Sequence, residues 1–177
     1  MPSLIGSNAA RLGELLVGPL LAGMGSPPPG RGAAWTEERG ANPPFYDGDL
    51  TPATYRDWLR YNAVRYVALS TAPPDPAAAG EAGIIRTGQP WLIPVWRDRY
   101  WRLYLVTGTS PLASPPATVT GTTPALITLS MTRAGTTVVR VHWSRLLRAD
   151  GAVVARDGPW TSLTARRPGR YGLSAPY

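Results

Sequence analysis

Helical spacing begins just after residue 50. Tyr55, Trp58, Leu59 and Asn62 fall along one side of a helix, so the aromatic pair is expected to face a core. Thr51 followed by Pro52 marks the start, with threonine as N-cap and proline at the first helical position, where a missing N–H costs nothing. Val64 to Leu69 (VRYVAL) changes to alternation with β-branched residues and predicts a strand. Ala77 to Arg86 predicts a second helix that stops at Gly88. The next segment, WLIPVWRDRYWRLYLVTG, predicts a β-hairpin with strands Leu92 to Arg97 and Trp101 to Thr107 and Asp98-Arg99 near the turn. Pro94 has no N–H to give to a ladder, which makes the first of these an edge or bulged strand.

From Ala117 onward only short strands are predicted, over 117–121, 125–132, 136–143, 152–155, 160–165 and 170–174. Turn signals separate them at Arg133-Ala134-Gly135, Asp150-Gly151, Asp157-Gly158 and Pro168-Gly169. In TTVVRVHW (Thr136 to Trp143), Val139, Val141 and Trp143 share one face while Val138, Arg140 and His142 share the other, so one sheet face is wet. The fold class expected is α+β: a short N-terminal apolar helix, a small helix-strand-helix-hairpin unit, then a small antiparallel β-sandwich. The corresponding segments are 1–24, 25–50, 51–108 and 109–177.

Leu12 to Met24 (LGELLVGPLLAGM) is an apolar run that follows Arg11 and is interrupted by Glu14 and Pro19. A spanning helix needs about 20 apolar residues to cross about 30 Å of hydrocarbon, and this run is shorter. Extending it back to Leu4 places Arg11 and Glu14 inside. Three readings stay open: an interfacial or truncated membrane helix, a cleaved signal with Leu15 to Gly23 as its apolar core, and an ordinary packed helix. Residues 25–50 read as a linker, because GSPPPGRG sustains neither a helix nor a central strand.

Composition adds limits to this picture. With 44% hydrophobic residues the chain can bury a core, yet 20 Pro and 19 Gly divide it into short elements. All 18 basic residues are arginine, and the net charge is +7, a balance that permits contact with phosphate, nucleic acid or anionic lipid. The arginines are scattered, with Arg166-Arg167 the longest run. The sequence has no cysteine, which excludes disulfides, a thiolate nucleophile and cysteine-based metal sites.

Candidate chemistry is sparse. No GxSxG, GxGxxG, GK[ST] or HExxH pattern occurs. His142 is the single histidine; with Arg140 on its strand face and no partnered nucleophile, it reads as a surface residue rather than a general base. Asp47 and Asp49 resemble one arm of a carboxylate cation site, but they equally suit a turn before the Thr51 helix. Glu37 and Glu38 read as solvated linker charge. The expectation is therefore no catalytic residue, no metal and no cofactor. Trp91, Trp96, Tyr100, Trp101 and Tyr104 crowd the hairpin. Core packing is the plain reading of aromatics in a small β-rich domain. Near the turn, Trp96, Tyr100 and Trp101 are instead candidates for stacking against a glycan. A nucleic-acid role beside Arg97, Arg99 and Arg102 is disfavoured, since the RNA-module aromatic signatures are absent.

The strings FYDGDLTPATYRDWLRYNAVRYVAL and GIIRTGQPWLIPVWRDRYWRLYLVTGTSPLA, with PVWR, WRLY and the Gly158 to Trp160 segment, carry a family resemblance. They resemble the C-terminal extracytoplasmic region of multi-pass membrane proteins of high-GC bacteria. Those proteins are related to a 6-pyruvoyl-tetrahydropterin-synthase-associated membrane domain and are similar to YfhO-type glycosyltransferases of the GT-C architecture. NAARLGELLVGPLLAG (Asn8 to Gly23) resembles the start of one of their membrane helices. The resemblance implies a truncated relative placed at the extracytoplasmic face of the cell membrane, with a membrane, membrane-protein or glycan partner. The catalytic acidic residues of such enzymes are expected in early extracytoplasmic loops, which have no counterpart here. The implied function is a non-catalytic accessory module. The alternatives are a small enzyme acting on carbohydrate or lipid-linked sugar, and a degenerate fragment without independent function.

Overall fold

The computed structural model describes residues 9–12, 45, 50–74 and 78–175, with only the backbone described for 9–12. It is mostly antiparallel β-sheet with two helices, an α+β fold, and it divides into two compact units. Described residues up to Thr109 belong to the first and those from Ser110 to the second.

The first unit runs β1 (Ala9–Leu12), α1 (Pro52–Tyr61), β2 (Tyr66–Ser70), α2 (Ala79–Arg86), β3 (Leu92–Arg97) and β4 (Trp101–Val106). Helix α1 begins where its cap dictates. Thr51 Oγ1 accepts from the Thr54 amide at 3.2 Å and Thr54 Oγ1 accepts from the Thr51 amide at 2.9 Å, a reciprocal cap worth about 1 kcal/mol. At its other end the Val64 amide donates to the Leu59 carbonyl and the Ala63 amide to that of Arg60, which closes a Schellman turn. Ala63 holds the left-handed position of that turn, with φ 53°. Because Val64 is spent on closing the helix, β2 starts at Tyr66, two residues later than the alternation of VRYVAL suggests. Helix α2 ends on Thr87 and Gly88, whose φ is 75°.

The four strands form one sheet in the order β1-β2-β4-β3, antiparallel throughout. Directly opposed residues share a face, so the register sorts the side chains. Val67, Leu69, Tyr104, Val106 and Leu92 look toward the helices. There they join a core of Tyr55, Leu59, Val64, Ala82, Ile84, Ile85 and Trp91, with Phe45, Leu50 and Trp58 packed against it. Strand β3 is an edge strand and carries a bulge between Pro94 and Trp96, both consequences of the proline.

One expectation needs correction. The helix expected over 1–24 is not what residues 9–12 form: their backbone pairs with β2 from Ala9 opposite Leu69 to Leu12 opposite Tyr66. The open edge of β2 offers hydrogen-bond partners that override the local helical preference of AARL. The remainder of the 1–24 segment lies outside the described residues. Most of the 25–50 linker does too, but Phe45 is anchored, its ring edge-on to Trp58 at 5.1 Å and to Tyr55 at 6.1 Å. No described helix is long and apolar enough to cross a membrane.

The second unit holds two antiparallel sheets. One has the order β5 (Ala117–Thr122), β6 (Leu126–Met131), β11 (Gly169–Ser174), β8 (Arg148–Ala149); the other is β7 (Gly135–His142), β10 (Trp160–Ala165), β9 (Ala152–Asp157). Alternation places Ile127, Leu129, Met131 and Leu173 of the first sheet, and Val139, Val141 and Leu163 of the second, in buried rows. Thr137 and Thr161 are also buried. Their hydroxyls donate to the carbonyls of Ser114 and Val141, so neither burial leaves a polar group unmet. Residues Leu112 to Ser114 run along the outer edge of β7, with the Arg140 amide donating to Leu112 and the Ser114 amide to Val138. This covers one sheet edge.

Candidate functional site: the aromatic end of the β3–β4 hairpin

The hairpin turn is built by Asp98. Its Oδ1 accepts from the amides of Tyr100 at 2.7 Å and Trp101 at 2.6 Å, while the Asp98 amide donates to the Trp101 carbonyl. A carboxylate satisfied by backbone amides fixes a tight turn. Thr71, just after β2, donates its hydroxyl to the Arg99 carbonyl at 2.9 Å, which ties the turn to the neighbouring strand.

Three side chains singled out in the sequence stand in the open on this frame: Trp96 is 54% exposed, Tyr100 53% and Trp101 39%. Ile93 at 45% and Val95 at 47% accompany them, so the hairpin holds five of the nine exposed large hydrophobic side chains among the described residues. Single exposed hydrophobics are ordinary, whereas a contiguous set marks a contact surface. The crowded aromatics thus divide. Trp91 is buried in the core and Tyr104 packs against it, as the plain reading expects, while the three near the turn do not.

Arginines surround the rings. The Arg99 guanidinium lies over the Tyr100 ring at 4.3 Å, a cation–π contact. Arg97 and Arg102 are direct partners across the hairpin, and both are exposed. Reading the sequence did not reveal the exposure of Ile93 and Val95 or the pairing of the two arginines. The available signal was the recurrence of Arg97, Arg99 and Arg102 around a turn.

Elsewhere the chemistry is thin. His142 stands opposite Trp160, their rings 4.8 Å apart; the residue is exposed, and partial desolvation of its ring lowers its pKa below the ordinary 6.5. No group of three or more His, Cys, Asp or Glu able to hold a metal occurs among the described residues, and Asp47 and Asp49 lie outside them. No family model, curated protein or solved structure matches the chain.

Proposed function

We propose that this chain is a non-catalytic module working at the extracytoplasmic face of the membrane, and that it makes contact through the end of the β3–β4 hairpin. The observation that carries this is the joint exposure of Ile93, Val95, Trp96, Tyr100 and Trp101 on one hairpin. Tryptophan and tyrosine favour the boundary between headgroups and acyl chains, where an apolar ring body and a polar edge are both satisfied. Ile93 and Val95 favour a lipid interface over a sugar, because branched aliphatic side chains offer a sugar ring no flat surface to stack on. In this reading the two sheets from Ser110 onward form a small β-sandwich that serves as scaffold.

A second reading keeps the hairpin and changes the partner: Trp96, Tyr100 and Trp101 stack against a glycan. The flat faces of these three rings favour it. Flotation of the full chain with phospholipid vesicles, beside titration with soluble oligosaccharides, separates the two. The membrane reading expects flotation that the Trp96→Ala/Trp101→Ala variant loses by about thirtyfold, on the order of 1 kcal/mol for each partly buried ring. Saturable oligosaccharide binding without flotation would replace it with the glycan reading.

A further inference from the structure

We infer that Arg97 and Arg102 form a phosphodiester-binding pair, so that the surface the hairpin docks on is an anionic phospholipid bilayer. This rests on the membrane reading above and adds the headgroup. The two residues are cross-strand partners. Side chains so placed start about 5 Å apart, and like charges in that position repel. No carboxylate among the described residues pairs with either guanidinium. Asp98, the single acidic residue between Trp91 and Thr107, is committed to the amides of Tyr100 and Trp101. An unrelieved arginine pair is a place for an external anion, and the guanidinium fork matches two phosphate oxygens at once.

The register gives the pair its company. Ile93 opposes Leu105 and Trp96 opposes Leu103, which places them on the sheet face away from the helices, together with Trp101. Arg97 and Arg102 lie on the other face, and Arg102 neighbours the buried Leu69 of β2. Each arginine directly follows a tryptophan in sequence. Presented end-on to a bilayer, the hairpin therefore brings rings and guanidinium groups to the interface together, the rings against the acyl boundary and the arginines reaching back among the headgroups. Arg99 and Tyr100 at the turn lead the way in.

The test is flotation of the full chain with vesicles of phosphatidylcholine alone and of equal parts phosphatidylcholine and phosphatidylglycerol. Preference for the anionic vesicles is expected, and Arg97→Gln/Arg102→Gln should lose about twentyfold there while binding to phosphatidylcholine changes little. Arg97→Lys/Arg102→Lys, which keeps the charge, should recover most of the loss. Arg133→Gln/Arg167→Gln removes the same charge from exposed positions in the second unit and should cost no more than roughly twofold. Equal binding of the native chain to both vesicle types would overturn the headgroup inference and leave the membrane reading standing. No binding to either would overturn that reading itself. An equal loss in both glutamine double variants would reduce the effect to net charge, and displacement by a short DNA duplex at lower phosphate concentration would assign the pair to nucleic acid; either overturns the inference.

Discussion

The Tyr55 hydroxyl on α1 donates to Oε1 of Glu81 on α2 at 2.6 Å, inside the core of the first unit. Both side chains are buried, so the bond ties the two helices where water cannot compete. Tyr55→Phe keeps the ring and deletes the donor to a carboxyl group. A loss of about 1.5 to 3 kcal/mol is expected by urea unfolding. A loss below about 0.5 kcal/mol would show that the two helices do not depend on it.

Trp91 and Trp96 stand five residues apart with opposite fates. Trp91 is 5% exposed and tilts against Tyr55 at 5.9 Å. Trp91→Ala should cost about 3 to 5 kcal/mol. Trp96→Ala should stay within about 0.5 kcal/mol of the native chain. Thermal melts of the two variants check this directly, and a destabilised Trp96→Ala would move that ring from the contact surface to the core.

Gly88 ends α2 at φ 75°, and a methyl group added there would meet nothing within 4 Å. Space is therefore not at issue, only backbone strain. Gly88→Ala should lose about 1 kcal/mol, because the left-handed penalty exceeds the entropy gained by restricting the unfolded chain. An unchanged unfolding midpoint would contradict a left-handed cap at this position.

His142 predicts a slope of stability with pH. Partial desolvation of its ring beside Trp160 lowers its pKa from the ordinary 6.5, so the folded chain holds this proton less tightly than the unfolded chain does. Stability is then full above pH 6.5 and falls as the pH drops through that value, levelling once the folded imidazole also protonates. His142→Gln should flatten the change in melting temperature between about pH 7.5 and pH 5.5. An identical slope in the variant would assign it to other groups.

Local signals in the sequence identified most elements. Thr51 with Pro52 fixed the start of α1, Gly88 the end of α2, and Pro94 the edge position and bulge of β3. The end of α1 was hidden, because its left-handed residue is Ala63 and no glycine announces the turn. Strand β8 was missed for a related reason: two residues are too few to show a period, and pairing with Leu173 and Ser174 defines them. In β1, AARL carries no alternation, and its partner in β2 supplies the reason for its shape. The hairpin residues were visible as a cluster of rings and charges. Their exposure was not, since unbroken alternation from the buried Leu92 puts Trp96 on the core-facing side, and the bulge between Pro94 and Trp96 turns it to the other.

The bulge in β3 has the effect of a frame change. Up to Pro94 opposite Tyr104, each residue of β3 meets one of β4; one residue is then skipped, and counting resumes with Trp96 opposite Leu103. Had the count run on unbroken, Trp96 would meet Arg102 and Arg97 would meet Trp101, and each tryptophan would lie opposite a guanidinium. A single extra residue thus segregates two kinds of side chain that alternate in the sequence. Pairing Val95 into the ladder opposite Leu103 would leave the composition of the hairpin end unaltered while carrying Trp96 and Arg97 each to the other side, so the binding character of this surface resides in a one-residue offset as much as in the residues themselves.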